Sequence, residues 1–294
     1  MNFRTDLAIE CKEEYGESEI EGVKYTEKYN ETSKTTIIEV LNKKGELAIE
    51  KPVGNYVTVE VPNFSSDGEI LDDRLTAIKE ELARLIPNDG VILVVGLGND
   101  NITPDALGPR TIDKIIATRH ISAELAKSVG LEGLRMVSAL APGVLGQTGI
   151  ETGEIIMGVS KSVKPSAVIT VDALASRRLS RLGCTVQIAD TGVTPGSGVG
   201  NARAQINEQT LGVPVIAVGV PTVVDAATLA NDLLGDNEED KDLFSKLDGQ
   251  GANMIVTPRE IDLMIDRAAK LLALAINSAL QPTLTAEDIM AMTS

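Results

Sequence analysis

The sequence predicts an α/β protein of three layers, with a mostly parallel sheet flanked by helices and a β extension at the N-terminal side. Three observations carry this. Val91–Val95, Ala167–Val171 and Val213–Val220 are short, almost wholly apolar runs of the kind that form strands buried on both faces. Between them lie amphipathic stretches of helical period, such as Asp72–Ile86 with Leu75, Ile78, Leu82 and Leu85 on one face. Ahead of them, Thr36–Val61 holds alternating runs broken by turns. The expected organisation is a β extension over residues 1–70, packed on or near the main sheet, and an α/β domain over 71–294.

Taken in order, the first thirty residues are polar and acidic, and only Leu7, Ile9 and Cys11 alternate weakly. Thr36–Leu41 reads as a strand, Asn42–Gly45 as a turn and Glu46–Glu50 as a second short strand. Asn55–Val61 alternates and is closed by Pro62, which makes an antiparallel meander or hairpin pair able to edge the main sheet. The helix Asp72–Ile86 stops at Pro87-Asn-Asp-Gly90. The strand Val91–Val95 breaks at Gly96-Leu-Gly-Asn99, and Thr111–Val129 reads as one helix. Arg135–Leu140 is strand-like; Ile155–Val159 fits a short strand or a helix begun at Thr152. Ala167–Val171 ends in Asp172, and Ala173–Leu182 is weakly helical. Thr185–Ala189 is a strand that runs into the glycine-rich loop Asp190–Asn201. After Val213–Val220, Thr222–Leu234 reads as helix and Gly235–Gly251 as a charged excursion. Glu260–Leu280 is the longest helix, its apolar face being Ile261, Ile265, Ala268, Leu272 and Ile276.

Composition narrows the function. Forty-three acidic residues against 27 basic ones give a net charge of -16, which disfavours direct nucleic-acid binding and a membrane surface, because such binders gain affinity from phosphate contacts. Aromatics are 2%, so stacking platforms for bases are improbable. A single histidine, His120, rules out a His-rich zinc site within one chain. Cys11 and Cys184 stand far apart with no metal spacing and read as reduced thiols. The N-terminal residues are too acidic for a signal peptide and no apolar run is long enough to span a bilayer, so a soluble cytoplasmic protein is expected.

The dinucleotide reading of Gly96-x-Gly98 fails, since position 101 is Asn and Pro104 and Gly108 interrupt the helix start; the glycines and Asn99 shape a turn instead. The carboxylates are more informative. Asp105 follows the first core strand and Asp172 the second, so both belong to the carboxyl edge of a parallel sheet. Two carboxylates brought together need not both ionise, and the pair can then act as acid and base on water. From the residues alone, each also fits a cap or turn. In the loop Asp190–Asn201, with Gly192, Gly196, Ser197 and Gly198, exposed main chain can pair with an extended substrate or cradle an oxyanion. Arg177 fits either a carboxylate-orienting role or surface pairing.

The chain also resembles the germination protease family of spore-forming bacteria. The resemblance rests on Arg4-Thr-Asp-Leu-Ala8, Tyr56-Val-Thr-Val-Glu60, Val95-Gly-Leu-Gly-Asn99 with Thr103-Pro-Asp-Ala-Leu-Gly-Pro109, and Ala141-Pro-Gly-Val-Leu-Gly-Gln-Thr-Gly149. It continues through Val171-Asp-Ala-Leu-Ala-Ser-Arg177, Asp190–Asn201, Val218–Ala226 and Val256–Ile261. It implies an endopeptidase with a fold similar to that of hydrogenase-maturation endopeptidases, and Asp105 and Asp172 as the catalytic pair. It implies small acid-soluble, DNA-protecting spore proteins as substrates, cut after glutamate and before a hydrophobic residue, in the spore core or forespore. It further implies a homotetramer made as a zymogen and activated by loss of an N-terminal segment. The chain departs from the pattern in having only Met1-Asn2-Phe3 before the Arg4 match, and in being shorter around Asp225–Met254. No cofactor is expected; a metal-assisted variant of the maturation type, and a silent binding or assembly protein of the same fold, are the alternatives.

Overall fold

A computed structural model describes residues 5–16, 18–128, 132–197, 203–226, 228–230 and 254–293. The protein is of the α/β class, with one large sheet covered by helices on both faces. Its strands are β1 (Val23–Tyr29), β2 (Lys34–Val40), β3 (Gly54–Glu60), β4 (Ile92–Gly96), β5 (Val137–Leu140), β6 (Ala167–Ser176), β7 (Thr185–Ala189), β8 (Val215–Asp225) and β9 (Ile255–Val256). They lie in the order β1-β2-β3-β7-β8-β6-β4-β5, with β9 beside β8. Parallel pairing is confined to β8-β6-β4-β5. The N-terminal strands continue the same sheet antiparallel through β3 and β7. The sheet is thus mixed, with the parallel strands as one block.

Successive residues of β4 separate onto opposite faces, Ile92 and Val94 on one, Leu93 and Val95 on the other. The first face is covered by α3 (Asp73–Leu85), α4 (Leu107–Ile112), α9 (Ile261–Leu280) and α10 (Ala286–Thr293). The second carries two separate patches. One packs α1 (Ala8–Glu13) and α2 (Lys43–Ile49) against Ile38, Tyr56, Leu174 and Ala189. The other packs α7 (Thr152–Val163) and α8 (Glu208–Leu211) against Leu93, Val95, Val168 and Val215. Two short helices are α5 (Ala123–Ser128) and α6 (Leu145–Thr148), and residues 226 and 228–230 are helical as well.

Several boundaries differ from the sequence reading, each for a physical reason. Residues 43–49 form a helix, not a turn and strand, because the Asn42 side chain accepts from the N–H groups of Lys44 and Gly45 at 3.0 and 3.3 Å and nucleates it. β1 carried no legible period because it is an edge strand exposed on both faces for most of its length. The single helix expected over Thr111–Val129 is two: α4 ends at Ile112, and α5 starts at Ala123. Asn277 of α9 takes over the freed backbone, donating to Lys114 O at 2.8 Å and accepting from Ile116 N–H at 3.0 Å. β6 and β8 continue as paired strands to Ser176 and Asp225, so strand replaces the start of the helices expected over Ala173–Leu182 and Thr222–Leu234; residues 226 and 228–230 are helical, and 231–234 lie outside the described residues. Asp172 therefore lies within β6, not at its end. Ile155–Val159 belongs to α7. The expected excursion Gly235–Gly251, and most of the shortened region around 225–254, lie outside the described residues.

Candidate active site

The two helix patches on the second face do not meet. Between them the sheet is bare, leaving a cleft of about 650 Å³ walled by Lys51 and Tyr56 on one side and Leu145 and Thr152 on the other. It opens beside the junction of β4 and β6, which are direct neighbours although β5 intervenes in sequence. Such a switch in strand order is where open α/β sheets leave a crevice.

The floor is a transverse row. Gln187 of β7 pairs with Gly219 of β8, and Gly219 with Asp172 of β6. Partners in register point to the same face, so Gln187 and Asp172 stand on either side of a glycine. A Cβ on Gly219 would come within 2.6 Å of Leu174 Cγ and 2.7 Å of Asp172 O, which keeps this floor bare.

Asp105 reaches the cleft from the 3-10 turn Thr103–Asp105 that follows β4. Leu97 N–H donates to Val171 O at 2.8 Å, holding the β4 exit beside Asp172. Gly98 then turns back with φ +112°, a conformation that side chains disfavour, and any Cβ there would stand 2.0 Å from Asp105 O. Asn99 N–H donates to Asp105 Oδ2 at 2.8 Å and to its carbonyl oxygen at 3.1 Å. Gln147 Nε2 donates to Asn99 Oδ1 at 2.7 Å, and Thr222 Oγ1 to Pro104 O at 2.7 Å, bracing the turn from two sides. Gly96 lets α4 start against the sheet, since a Cβ would meet Gly108 O at 2.3 Å.

Both carboxyls are hard to ionise. Burial raises Asp105 to about 6 against the pull of the Asn99 N–H. Asp172 lies well above the usual carboxylate range, first through desolvation, then through the charges of Asp105 and Asp6, with the Ala173 N–H at 2.9 Å opposing. Each carboxyl thus takes up a proton at a higher pH than an isolated aspartate does.

Asp6 had no place among the sequence-derived candidates. It lines the same cleft and is held on all sides: its N–H donates to Ala175 O at 2.9 Å, and its Oδ2 accepts from Ala175 N–H at 2.8 Å. Ser197 Oγ donates to Oδ1 at 2.9 Å, and Gln187 Nε2 to the Asp6 carbonyl at 2.9 Å. Gln187 was missed as well. Its signal was present: a long amide in a strand, Thr185–Ala189, that is otherwise filled by apolar and small residues.

Of the remaining candidates, Gly98, Asn99, Gly192, Gly196 and Ser197 line the cleft, whereas Gly96 acts from beneath the turn. Asp190 faces β3, its oxygens accepting from the Asn55 N–H at 2.8 Å and side-chain amide at 2.6 Å. Arg177 turns to α1, its N–H donating to Glu10 at 2.7 Å and its guanidinium to Glu14 at 2.6 Å. Gly198 lies outside the described residues. His120 is exposed in the turn before α5. Among the described residues no group of three or more His, Cys, Asp or Glu side chains is arranged to hold a metal ion; two N–H or O–H donors already engage Asp6. No helix among them is long and apolar enough to cross a membrane.

Two carboxyls that ionise late beside an open cleft of an α/β sheet suit a hydrolase, and the comparisons make this chain a peptidase. Residues 4–236 match the family model described as germination protease. Germination proteases of Clostridium perfringens and Caldanaerobacter subterraneus are 45% and 47% identical to it, each alignment covering 98% of this chain and 98% and 97% of the relative. That of Priestia megaterium is 35% identical over 99% of this chain and 97% of its own. The chain belongs to the germination protease family. Among solved structures, a hydrogenase maturation protease from Thermococcus kodakarensis matches 67% of this chain and 98% of its own at 19% identity, with a TM-score of 0.37.

Proposed function

We propose that this peptidase starts the breakdown of small acid-soluble spore proteins in the germinating spore, cutting after glutamate, with Asp105 and Asp172 as its acid–base pair. The observation that carries the mechanism is the unequal environment of the two carboxyls. Asp105, raised to about 6, is ionised at neutral pH and serves as general base on a water. Asp172, held higher by burial and by the neighbouring charge, keeps its proton and delivers it to the leaving amine. Each residue then has the protonation state that the other's role requires. The arrangement needs no histidine, cysteine or metal ligand set.

The family resemblance supports the substrate, the homotetramer and the zymogen stage. Residues 1–70 then form an extension that walls the cleft, and 71–294 the peptidase domain. The acidic charge of the chain suits a protein that acts on DNA-binding proteins and not on DNA itself. Purified spore protein incubated with Asp105→Asn or Asp172→Asn tests the mechanism. Each change is expected to slow cleavage by roughly a hundredfold to ten-thousandfold, the range of positioned acid–base groups. Wild-type rates in both variants would sink the aspartate pair.

A further inference from the structure

The proposed reaction leaves Gln187 and Ser197 without a task, yet with Asp6 they form a connected polar cluster in the cleft. We propose that Ser197 Oγ, the Ala175 N–H and Gln187 Nε2 form the subsite that receives an acidic residue of the substrate, a subsite displayed here by the chain's own Asp6. This rests on the peptidase mechanism proposed above and adds the residues that read the substrate.

The Asp6 carboxylate takes two donors, one on each oxygen: the Ala175 N–H at 2.8 Å and Ser197 Oγ at 2.9 Å. Neither donor brings a positive charge. A carboxylate is nevertheless well served, because charge-assisted bonds to preorganised donors are the stronger kind. The same residue's N–H donates to Ala175 O at 2.9 Å. Its carbonyl accepts from Gln187 Nε2 at 2.9 Å. Main chain and side chain of one acidic residue are therefore read together.

Gln187 is fixed for the purpose. Its Oε1 accepts from the Ala8 N–H at 2.8 Å, and Ala8 is fully buried in the α1 patch. That bond sets which end of the amide faces the cleft, so Nε2 is aimed at the carbonyl position. The row Gln187, Gly219, Asp172 then places the amide donor and the acid on either side of a bare floor. Interstrand spacing puts their backbones about 10 Å apart, enough for one extended chain to lie between. The carbonyl of an acidic residue seated as Asp6 is seated is thus held by an N–H donor at the site of the aspartates.

The test compares kcat/KM on two peptides that differ only in Glu or Gln at the residue before the cut. Ser197→Ala is expected to narrow the Glu-over-Gln preference by about tenfold, the worth of one hydrogen bond to a charged group. Gln187→Met is expected to lower kcat/KM on both peptides alike, since it touches only main chain. Gln187→Glu keeps an acceptor for Ala8 but sets an oxygen against the Asp6 carbonyl, so it is expected to melt below wild type. Its rate is read at a temperature where it is fully folded, and slow cleavage by the folded variant separates substrate binding from loss of fold. An unchanged Glu-over-Gln ratio in Ser197→Ala, or wild-type rates in Gln187→Glu, overturns the subsite while Asp172→Asn remains inactive. If Asp105→Asn and Asp172→Asn both cleave normally, the acid–base mechanism falls and the subsite with it.

Discussion

At the residue scale, the pH profile follows from three carboxyls in one cleft. Activity should rise as Asp105 ionises, with a limb near pH 6, and fall at higher pH as Asp172 loses its proton. Asp6 raises Asp172 through its negative charge. Removing that charge eases ionisation, so in Asp6→Asn the alkaline limb should move to lower pH while the limb near 6 stays. A kcat/KM profile from pH 4 to 10 checks both limbs, and an alkaline limb that does not move would show that Asp172 does not set it. What could be read from sequence at this scale was that two carboxyls sit at one sheet edge, not the contacts they make. Asp105 and Asp172 stand out in the sequence because each follows an apolar run. Asp190 and Arg177 are equally conspicuous in the sequence, but the structure turns them to Asn55 and to α1. Side-chain direction depends on neighbours from distant segments, which no local pattern encodes.

At the element scale, local period told the truth where one face of an element is buried and misled where a distant side chain intervenes. Asp72 caps α3 and the long α9 ran as its pattern indicated. The stretch after Ile112 keeps a helical pattern and yet is not helix, because Asn277 offers its backbone a better partner. Asn277 is 1% exposed and joined to Lys114 and Ile116 across more than 160 residues of sequence. Replacing it with Leu would leave a buried C=O and N–H without partners and should cost about 2–4 kcal/mol. Urea unfolding measures this; a change within about 0.5 kcal/mol, as at an ordinary surface site, would mean that water satisfies these groups. Likewise β6 outruns its apolar stretch because β8 pairs with it as far as Ser176 and Val224. Strand length was a property of the pair.

At the scale of the whole molecule, the class was legible because buried strands and amphipathic helices alternate, and the antiparallel N-terminal strands, read as able to edge the main sheet, do so through β3 beside β7. That end is fastened by charge as well as by pairing. Glu10, 2% exposed, accepts from the N–H groups of Arg177 and Arg178 at 2.7 and 2.9 Å, and Arg181 bridges Glu13 and Glu60 at 2.5 and 2.8 Å. Glu10→Ala should loosen α1 by about 1–3 kcal/mol, the cost of stranding those donors. Limited proteolysis should then cut within the first sixteen residues faster than in wild type, and equal rates would place the fastening elsewhere.

The position of α9 in the chain has a consequence for how the molecule is made. It is buried nearly all round from Leu271 to Ser278 and covers the parallel block, yet it is synthesised after every strand it covers. Until it arrives, the apolar face formed by Ile92, Val94, Ile169, Val171, Ile216 and Val218 has no lid, and α3 and α4 lack the helix they pack on. A nascent chain therefore carries an open hydrophobic sheet until α9 emerges, a state prone to aggregation. Closure by contacts of such long sequence separation is slow. Late folding, and a need for protection before it, are thus written into the order of the elements.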